Sequence, residues 1–536
     1  MDSPSGNSMP AGSLDPRQCS CTRLPLARSS SDCFRAGLFL WISLWIVVFF
    51  VCCFPAQLLR AGQTPHDDPR QLDAITQLAA QKQWQAAATR IAEYRRRYPD
   101  SVSGAVLQAE ILIHIGLLVD ANDAIQRILI LHPRSIPALS AYAELSQKLG
   151  DKATAEQLLL RCTRYSPRDP ATWKHLGDFY LSEGRKEALP SFQYALTLAP
   201  HDATALAGAA EAHHQQGDDG GAMRDFRQAV QWNESAKSPD AMVDFLFGEF
   251  LLDKTNYSES LKCYQRALDR DSSLTEARLG RAKSLLHLRE WQRAESDLKV
   301  TATVDEWKIE SLNLLIKVYQ AQGKTTEAQD AVSRAEQLSA EQNAEKASSN
   351  QIASSLQSAH ALELQKDFRQ AALAFQHLLQ DHPEAIAAWL DLGRCYAELG
   401  QLSEAESALR HFVELQDNSA SAHALLGKVL LREEKIQEAR SQFVRAQDID
   451  PLSAEARLGV AACYMVERRF PNAIQVLRST KSMPGSGIEA RLMLTEALYK
   501  NGQRNAALKE INDAIREYPS NKEAPAMRDS LLREQH

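Results

Sequence analysis

Catalytic signatures are missing from this chain. Its 536 residues hold no phosphate-binding loop, no G-x-G-x-x-G after a strand pattern, no G-x-S-x-G elbow and no H-E-x-x-H pair. These gaps remove the main nucleotide-hydrolysing, dinucleotide-dependent, serine-hydrolase and zincin classes. Cysteine is sparse: nine residues with no C-x-x-C, which excludes a disulfide framework in a chain this long. Cys19, Cys21 and Cys33 lie near the start and Cys52 and Cys53 in an apolar run. Cys162, Cys263, Cys395 and Cys463 are scattered through the body. Basic surplus is lacking as well. Lys and Arg number 61 against 68 Asp and Glu, a net charge of −7, which argues against non-specific nucleic-acid binding. The 14 histidines include one adjacent pair, His213-His214. Neighbouring residues point to different faces of a helix, so the pair is read as solvated or helix-end histidines rather than metal ligands.

Long hydrophobic runs are absent from the body, with one exception before it. Ala36 to Leu59 has no charged residue, and Arg35 and Arg60 flank it. As a helix this stretch is about 36 Å long, enough to cross a hydrocarbon core of about 30 Å. We expect a single transmembrane helix over 36–59, after a disordered tail over 1–35 rich in Ser, Pro, Gly and Arg. The competing reading is a cleaved signal peptide. It fits less well, because the leader is long and Phe54 or Leu59 spoils the small-x-small cleavage pattern. Arg17, Arg23, Arg28 and Arg35 precede the span closely, whereas Arg60 and Arg70 follow it. The positive-inside bias then leaves the N-terminus cytoplasmic and the body extracytoplasmic, in a periplasm or lumen. The alternatives are secretion after cleavage, or a body facing the cytoplasm.

What the body does have is a period. Prolines recur at Pro99, Pro133, Pro167 and Pro200, then at Pro383, Pro451 and Pro519. The steps are 34, 34 and 33 residues and then 68 and 68. Such spacing means a repeat architecture. In "ATWKHLGDFY", Trp173, Leu176, Gly177 and Tyr180 stand at i, i+3, i+4 and i+7, one stripe of a helix. A second helix carries Ala188, Phe192 and Ala195, and Pro200 stops it.

This pattern resembles the tetratricopeptide repeat family, whose 34-residue helix-turn-helix units stack into a right-handed superhelix. Thirteen units can be read, starting at 68, 102, 136, 170, 203, 241, 275, 309, 352, 386, 420, 454 and 488. Repeat position twenty holds alanine in every unit except the sixth, where Ser260 stands. Position eight is Gly or Ala apart from Ile75, Ile316 and Thr495. We read Gly177 as letting helix A approach its own helix B opposite Ala188. The expected fold is thus all-α: a transmembrane helix, a linker over 60–67, and a solenoid in two blocks, 68–340 (eight repeats) and 352–519 (five). A linker or helix extension joins them over 341–351, and 520–536 forms a capping helix carrying Ala526, Leu531 and Leu532. The insertion "SAKSPD" at 235–240 breaks the phase between the fifth and sixth units. Asn233 and Asn256 match glycosylation acceptors, a pattern frequent by chance.

The resemblance implies a concave face lined by helix A positions two, five, nine and twelve. Position nine reads Glu110, Glu144, Asp178, Glu211 and Glu249, then Lys283, Lys317, His360, Arg394 and Lys428. Position five is mostly apolar, with Phe245, Leu279, Leu356 and Leu390 among its members. We therefore expect a groove with an apolar floor, negative in its first half and positive in its second. Charges that are solvated or paired between repeats are the plainer alternative. The expected partners are protein or peptide segments with basic and acidic stretches, and the bilayer through 36–59. No nucleic acid, cofactor or metal is expected. The chaperone-binding variant of the family clamps a carboxylate with Lys at position five and Asn at nine; here Lys174 is followed by Asp178, and the set is incomplete. The resemblance thus implies a non-catalytic scaffold for assembly or recruitment, or else an accessory subunit of a membrane enzyme or secretion system.

Overall fold

The computed structural model describes residues 68–483 and 485–533. The proposed span over 36–59 lies outside them. Among the described residues no helix is long and apolar enough to cross a membrane.

The described residues form 26 α-helices and no strand. The first four pairs are α1 (Pro69–Ala80) with α2 (Trp84–Arg97), α3 (Val102–His114) with α4 (Leu118–Leu131), α5 (Ile136–Lys148) with α6 (Lys152–Tyr165), and α7 (Pro170–Ser182) with α8 (Ala188–Leu198). Next come α9 (Ala203–Gln215) with α10 (Asp219–Ser235), α11 (Ala241–Asp253) with α12 (Tyr257–Arg270), and α13 (Thr275–His287) with α14 (Trp291–Thr301). In the eighth unit α15 (Lys308–Gln322) is followed by α16 (Thr325–Leu364), a 40-residue helix. It serves as helix B of unit eight and helix A of unit nine, so 341–351 is helical throughout. Then follow α17 (Phe368–Asp381), α18 (Ala387–Leu399) with α19 (Leu402–Leu415), and α20 (Ala420–Arg432) with α21 (Ile436–Ile449). The last are α22 (Ala454–Val466) with α23 (Phe470–Thr480), α24 (Glu489–Lys500) with α25 (Arg504–Glu517), and the terminal α26 (Glu523–Arg533).

Local chemistry sets the helix ends. Ser101, Ser135, Asp169, Asp202, Asp240, Ser419 and Ser453 cap helices A by accepting from a backbone N–H in the first turn. Repeat position fifteen, in the A-to-B turn, is left-handed in all thirteen units. Glycine occupies it in seven, including Gly116 and Gly400, and Lys82, Thr255, Arg289, Lys366, Glu434 and Arg468 in the others.

The core is a row of small residues and rings. The position-twenty alanines are buried in every unit that has one, and Ser260 is buried too, donating to the Gly248 carbonyl at 3.0 Å. Beside the contact with helix B, Gly177 also opens onto an aromatic ring. A Cβ built on it would lie 2.9 Å from the Phe192 ring. Gly208 of the next unit meets the same ring from its other side, at 2.5 Å. The missing side chains admit an aromatic ring as well as the close approach of helix B seen where Ser260 meets the Gly248 carbonyl and where Gly393 faces the Ala405 carbonyl. Tyr264 between Gly248 and Gly280, and Phe443 between Gly427 and Gly459, repeat the arrangement. At the C-terminus α26 packs through Ala524 and Leu531 onto Ile511 and Ala514, whereas Ala526 and Leu532 are exposed.

The insertion at 235–240 is absorbed by lengthening α10 to 17 residues and by a polar staple. Buried Asn233 donates to the Asp240 carbonyl at 2.7 Å and accepts from its N–H at 2.8 Å. A glycan on Asn233 would displace both hydrogen bonds. The two blocks also meet directly: units one to three pack against units ten to twelve, so the array returns on itself.

Candidate functional site

None of the ten charged position-nine residues from Glu110 to Lys428 is buried. Glu110, Glu144 and Asp178 are exposed, and Glu211 and Glu249 are half-buried. Glu110, Glu144, His175, Asp178 and Val106 line one concavity of about 540 Å³ across units two to four. Glu110 and Glu144 also line its neighbour, of about 300 Å³, beside Trp84 and His114. Units one to four therefore carry an acidic trough.

These acids are unevenly compensated. Glu144 pairs with Lys148 at 3.2 Å, and Glu249 accepts from the Tyr264 hydroxyl. Glu110, Asp178 and Glu211 make no ion pair among the described residues. Loss of water around Glu110 pushes its carboxyl above the usual range, and Glu144 adds to the rise. Desolvation does the same to Asp178, opposed by His175 and Lys174, and to Glu211, opposed by His214 and reinforced by Glu249 and Asp253. An acid exposed at its tip yet desolvated by the walls of a trough is one that a cation would relieve.

The basic half behaves differently. Lys283 pairs with Glu310 at 2.7 Å, Lys428 with Glu455 at 2.5 Å, and His360 with Asp391 at 2.9 Å. Arg394 is bonded to Glu363 at 2.6 Å and to Asp391. Of the five, Lys317 alone lacks an ion pair among the described residues, and it is exposed. The second half of the ladder is thus neutralised across repeats, and the expected positive half does not form a free basic surface. The acids responsible stand mostly at position two or six of the next unit. That offset is visible in the sequence, but a reading of position nine alone passes over it.

The apolar floor needs a similar correction. Phe245 and Leu356 are half-buried, but Leu279 is 2% exposed and belongs to the core with Ala282 and Leu312. Leu390 packs beside Trp389 against a cluster holding Ala109, Leu112 and Leu145, so units two and three cover it.

Two candidate metal arrangements resolve into contacts between single side chains. His213 faces Asp218 and Asp225 at 3.2 and 3.6 Å, and His214 faces Asp219 and Asp253 at 3.0 and 3.7 Å. The nitrogens of neither ring converge with the other's. His360, Glu363 and Asp391 do cluster, but both carboxylates are engaged by Arg394. The Asp391 hydrogen bond raises the His360 pKa above its ordinary value, against an opposing effect of burial. A raised folded value means that this contribution to stability is complete below about 6.5 and fades as pH rises through the folded value. In an NMR titration the His360 midpoint should lie above 6.5, and Asp391→Asn should return it toward that value. An unmoved midpoint in the variant would reject the pairing.

All four body cysteines are buried. Burial pushes the thiols of Cys263 and Cys463 up to about 11 and that of Cys395 to about 12, so they are inert fillers at neutral pH.

A family model described as a tetratricopeptide repeat matches residues 72–136 and 185–241. A second, described as the cilia and flagella-associated protein 70 C-terminal domain, matches 273–530. The tetratricopeptide repeat-containing protein trd-1 of Caenorhabditis elegans is 23% identical over 161 residues, 25% of this chain. The match spans 21% of that relative, about a fifth of its length. Among solved structures, MamA protein is 24% identical, with 31% of this chain and 92% of that one covered at a TM-score of 0.29. A tetratricopeptide repeat protein from Parabacteroides merdae is 16% identical, with 47% and 98% covered at a TM-score of 0.36.

Proposed function

Because the chain is a tetratricopeptide repeat protein, a fold suited to protein–protein interaction, we propose that it is a non-catalytic scaffold whose N-terminal trough receives a basic, partly apolar segment of another protein. The observation that carries this reading is that Glu110 and Asp178, desolvated and in no ion pair, line one concavity, with Glu211 at the same repeat position of the next unit. Val106 and Phe179 beside them offer apolar contact. A ligand with Lys or Arg at spaced positions replaces the lost hydration of these acids, and the acidic field steers its approach. The paired second half favours no charge of its own, so the mixed basic and acidic ligand is narrowed to a basic one. In this reading the uncharged stretch 36–59 tethers the array to a membrane, with the array on the extracytoplasmic side.

The test is binding of an extended peptide alternating lysine and leucine to the full-length chain in detergent. Reversing Glu144, Asp178 and Glu211 to Lys should weaken binding by roughly 10- to 100-fold, since each exposed charge contributes a few tenths to 1 kcal/mol. The loss should grow as salt is lowered. Equal affinity for the triple variant and the parent would remove the trough from the function.

A further inference from the structure

Helices B of units two, three and four share an outer edge that the trough does not use. Ile130 and Leu131 close α4, Tyr165 closes α6 and Tyr194 stands in α8, and all four are exposed, Ile130 to 60%. The return of units ten to twelve onto units one to three leaves them uncovered. Contacts string the edge into one strip. Arg134 lies over the Tyr165 ring at 5.7 Å and Arg161 at 5.9 Å. The Pro167 carbonyl accepts from the Trp173 indole at 3.0 Å, and Trp173 packs on Tyr194 with ring centroids 4.3 Å apart.

The strip is basic, and nothing in it offsets the charge. Arg134, Arg161, Arg164 and Arg168 form no ion pair among the described residues. None of the stretches 128–135, 157–168 and 188–201 contains an acid. The acids that flank the last two are committed elsewhere: Glu156 and Glu187 hold Arg185, and Asp169 and Asp202 cap α7 and α9. Arg164 suits the C-terminal end of α6. Arg134 and Arg168 lie beyond the helices, at the same position of successive B-to-A turns, and have no such partner. Single exposed apolar residues are ordinary. Tyrosine and aliphatic side chains interleaved with unpaired guanidinium groups have the composition of an interface.

We propose that this strip docks on the anionic headgroups of a bilayer, so that the array lies with helices B of units two to four against the membrane. Guanidinium groups donate in pairs to headgroup phosphates. The tyrosines suit the boundary between water and hydrocarbon, and Ile130 and Leu131 add shallow apolar insertion. Two features favour a bilayer over an acidic protein segment. The concavity fit for an extended chain is lined mainly by α3, α5 and α7, whereas the strip is presented by helices B; docking through it leaves the trough open. The uncharged stretch ends at Leu59, and nine residues separate it from α1, an extended length of about 30 Å. A tether that short keeps the first units beside the headgroups. This second argument rests on the membrane attachment proposed above.

The test is fluorescence quenching in the full-length chain reconstituted into vesicles that carry a quencher on their headgroups, with Cys19, Cys21, Cys33, Cys52 and Cys53 replaced by Ser. The dye is placed by Gln193→Cys, exposed beside Tyr194, or by His175→Cys in the trough as the reference. The four buried thiols do not react. In a two-to-one mixture of phosphatidylcholine and phosphatidylglycerol, the dye at 193 should be quenched and the dye at 175 should not. Combining Arg134→Glu, Arg161→Glu, Arg164→Glu and Arg168→Glu, or using phosphatidylcholine alone, should bring quenching at 193 down to the reference level. Each arginine at an anionic surface raises the docked-to-free ratio about fivefold. Lysine at all four positions keeps the charge and should keep most of the quenching, and helical circular dichroism should be the same in every variant. Equal quenching at 193 in neutral and anionic vesicles, or in the parent and the glutamate variant, overturns the proposal. So does binding of a glutamate–leucine peptide that the glutamate variant loses, with no quenching by vesicles, because the strip then serves a protein partner. Retention in vesicles after alkaline washing reads the tether separately. A chain that washes off at alkaline pH yet is quenched at 193 on anionic vesicles at neutral pH keeps the docking and loses the tether.

Discussion

Replacing Phe443 by alanine is expected to destabilise the last repeats by about 3–5 kcal/mol, the usual cost of emptying a fully buried aromatic site. The ring is 0% exposed and lies between two helices A whose glycines, Gly427 and Gly459, exist to admit it. A Cβ on Gly459 would stand 2.3 Å from the ring, closer than atoms tolerate. Gly459→Ala should therefore cost about 1–3 kcal/mol by overpacking. The two changes should not add. With Phe443→Leu in place, the added methyl of Gly459→Ala has room, and the double variant should be less destabilised than the sum of the singles. The protein already contains a precedent for the smaller filler, since Leu409 stands against Gly393 in unit ten. Repeat arrays do not unfold in one step, so the measurement is hydrogen exchange in peptides from α20 to α22. Additive effects, or a cost for Phe443→Ala below about 1 kcal/mol, would show that the slot does not hold the units together.

Asp244→Ala should have an effect of the same order, about 3–5 kcal/mol, for a different reason. Asp244 is fully buried and receives Arg266 at 2.7 Å as well as Arg270 and the Asn233 amide. Removing the carboxylate leaves two guanidinium groups facing one another with no counter-charge. Asp244→Asn keeps the shape and still accepts one hydrogen bond, so it should cost less than the alanine variant. Arg270→Leu in the Asp244→Ala background should recover part of the loss, because it removes one uncompensated cation. Hydrogen exchange across α11 and α12 reads the effect. Equal costs for Asn and Ala would mean that packing, and not charge, is what Asp244 supplies. This staple lies beside the 235–240 insertion, where the repeat phase is broken and the ordinary alanine contact is replaced by Ser260.

Much of the architecture could be read before any coordinates. Thirteen alternations of helix follow from the proline period and the small residues at positions eight and twenty. The ring slots were legible as well, in the triplets Gly177–Phe192–Gly208, Gly248–Tyr264–Gly280 and Gly427–Phe443–Gly459. A glycine on a helix suggests close backbones before it suggests a ring from the next helix. Position fifteen was harder to read. Its left-handed turn is occupied by Lys, Thr, Arg and Glu as often as not, since stacking of the units over-determines a backbone that these residues do not favour.

The candidate site divides along a similar line. Which residues stand at position nine, and their order of sign, is a matter of counting along the chain. Whether a charge there is free depends on the neighbour supplied by the following unit, as Glu310 is for Lys283 and Glu455 for Lys428. The sequence alone determined the repeats and the pairing of their helices, because each needs only contacts within about 34 residues and a periodic stripe to bury. Tertiary structure alone decided which acids remain uncompensated, that one 40-residue helix bridges the blocks, and that Asp120 meets Ser419. Those outcomes depend on small rotations between units that accumulate over the whole array, and no local pattern records their sum.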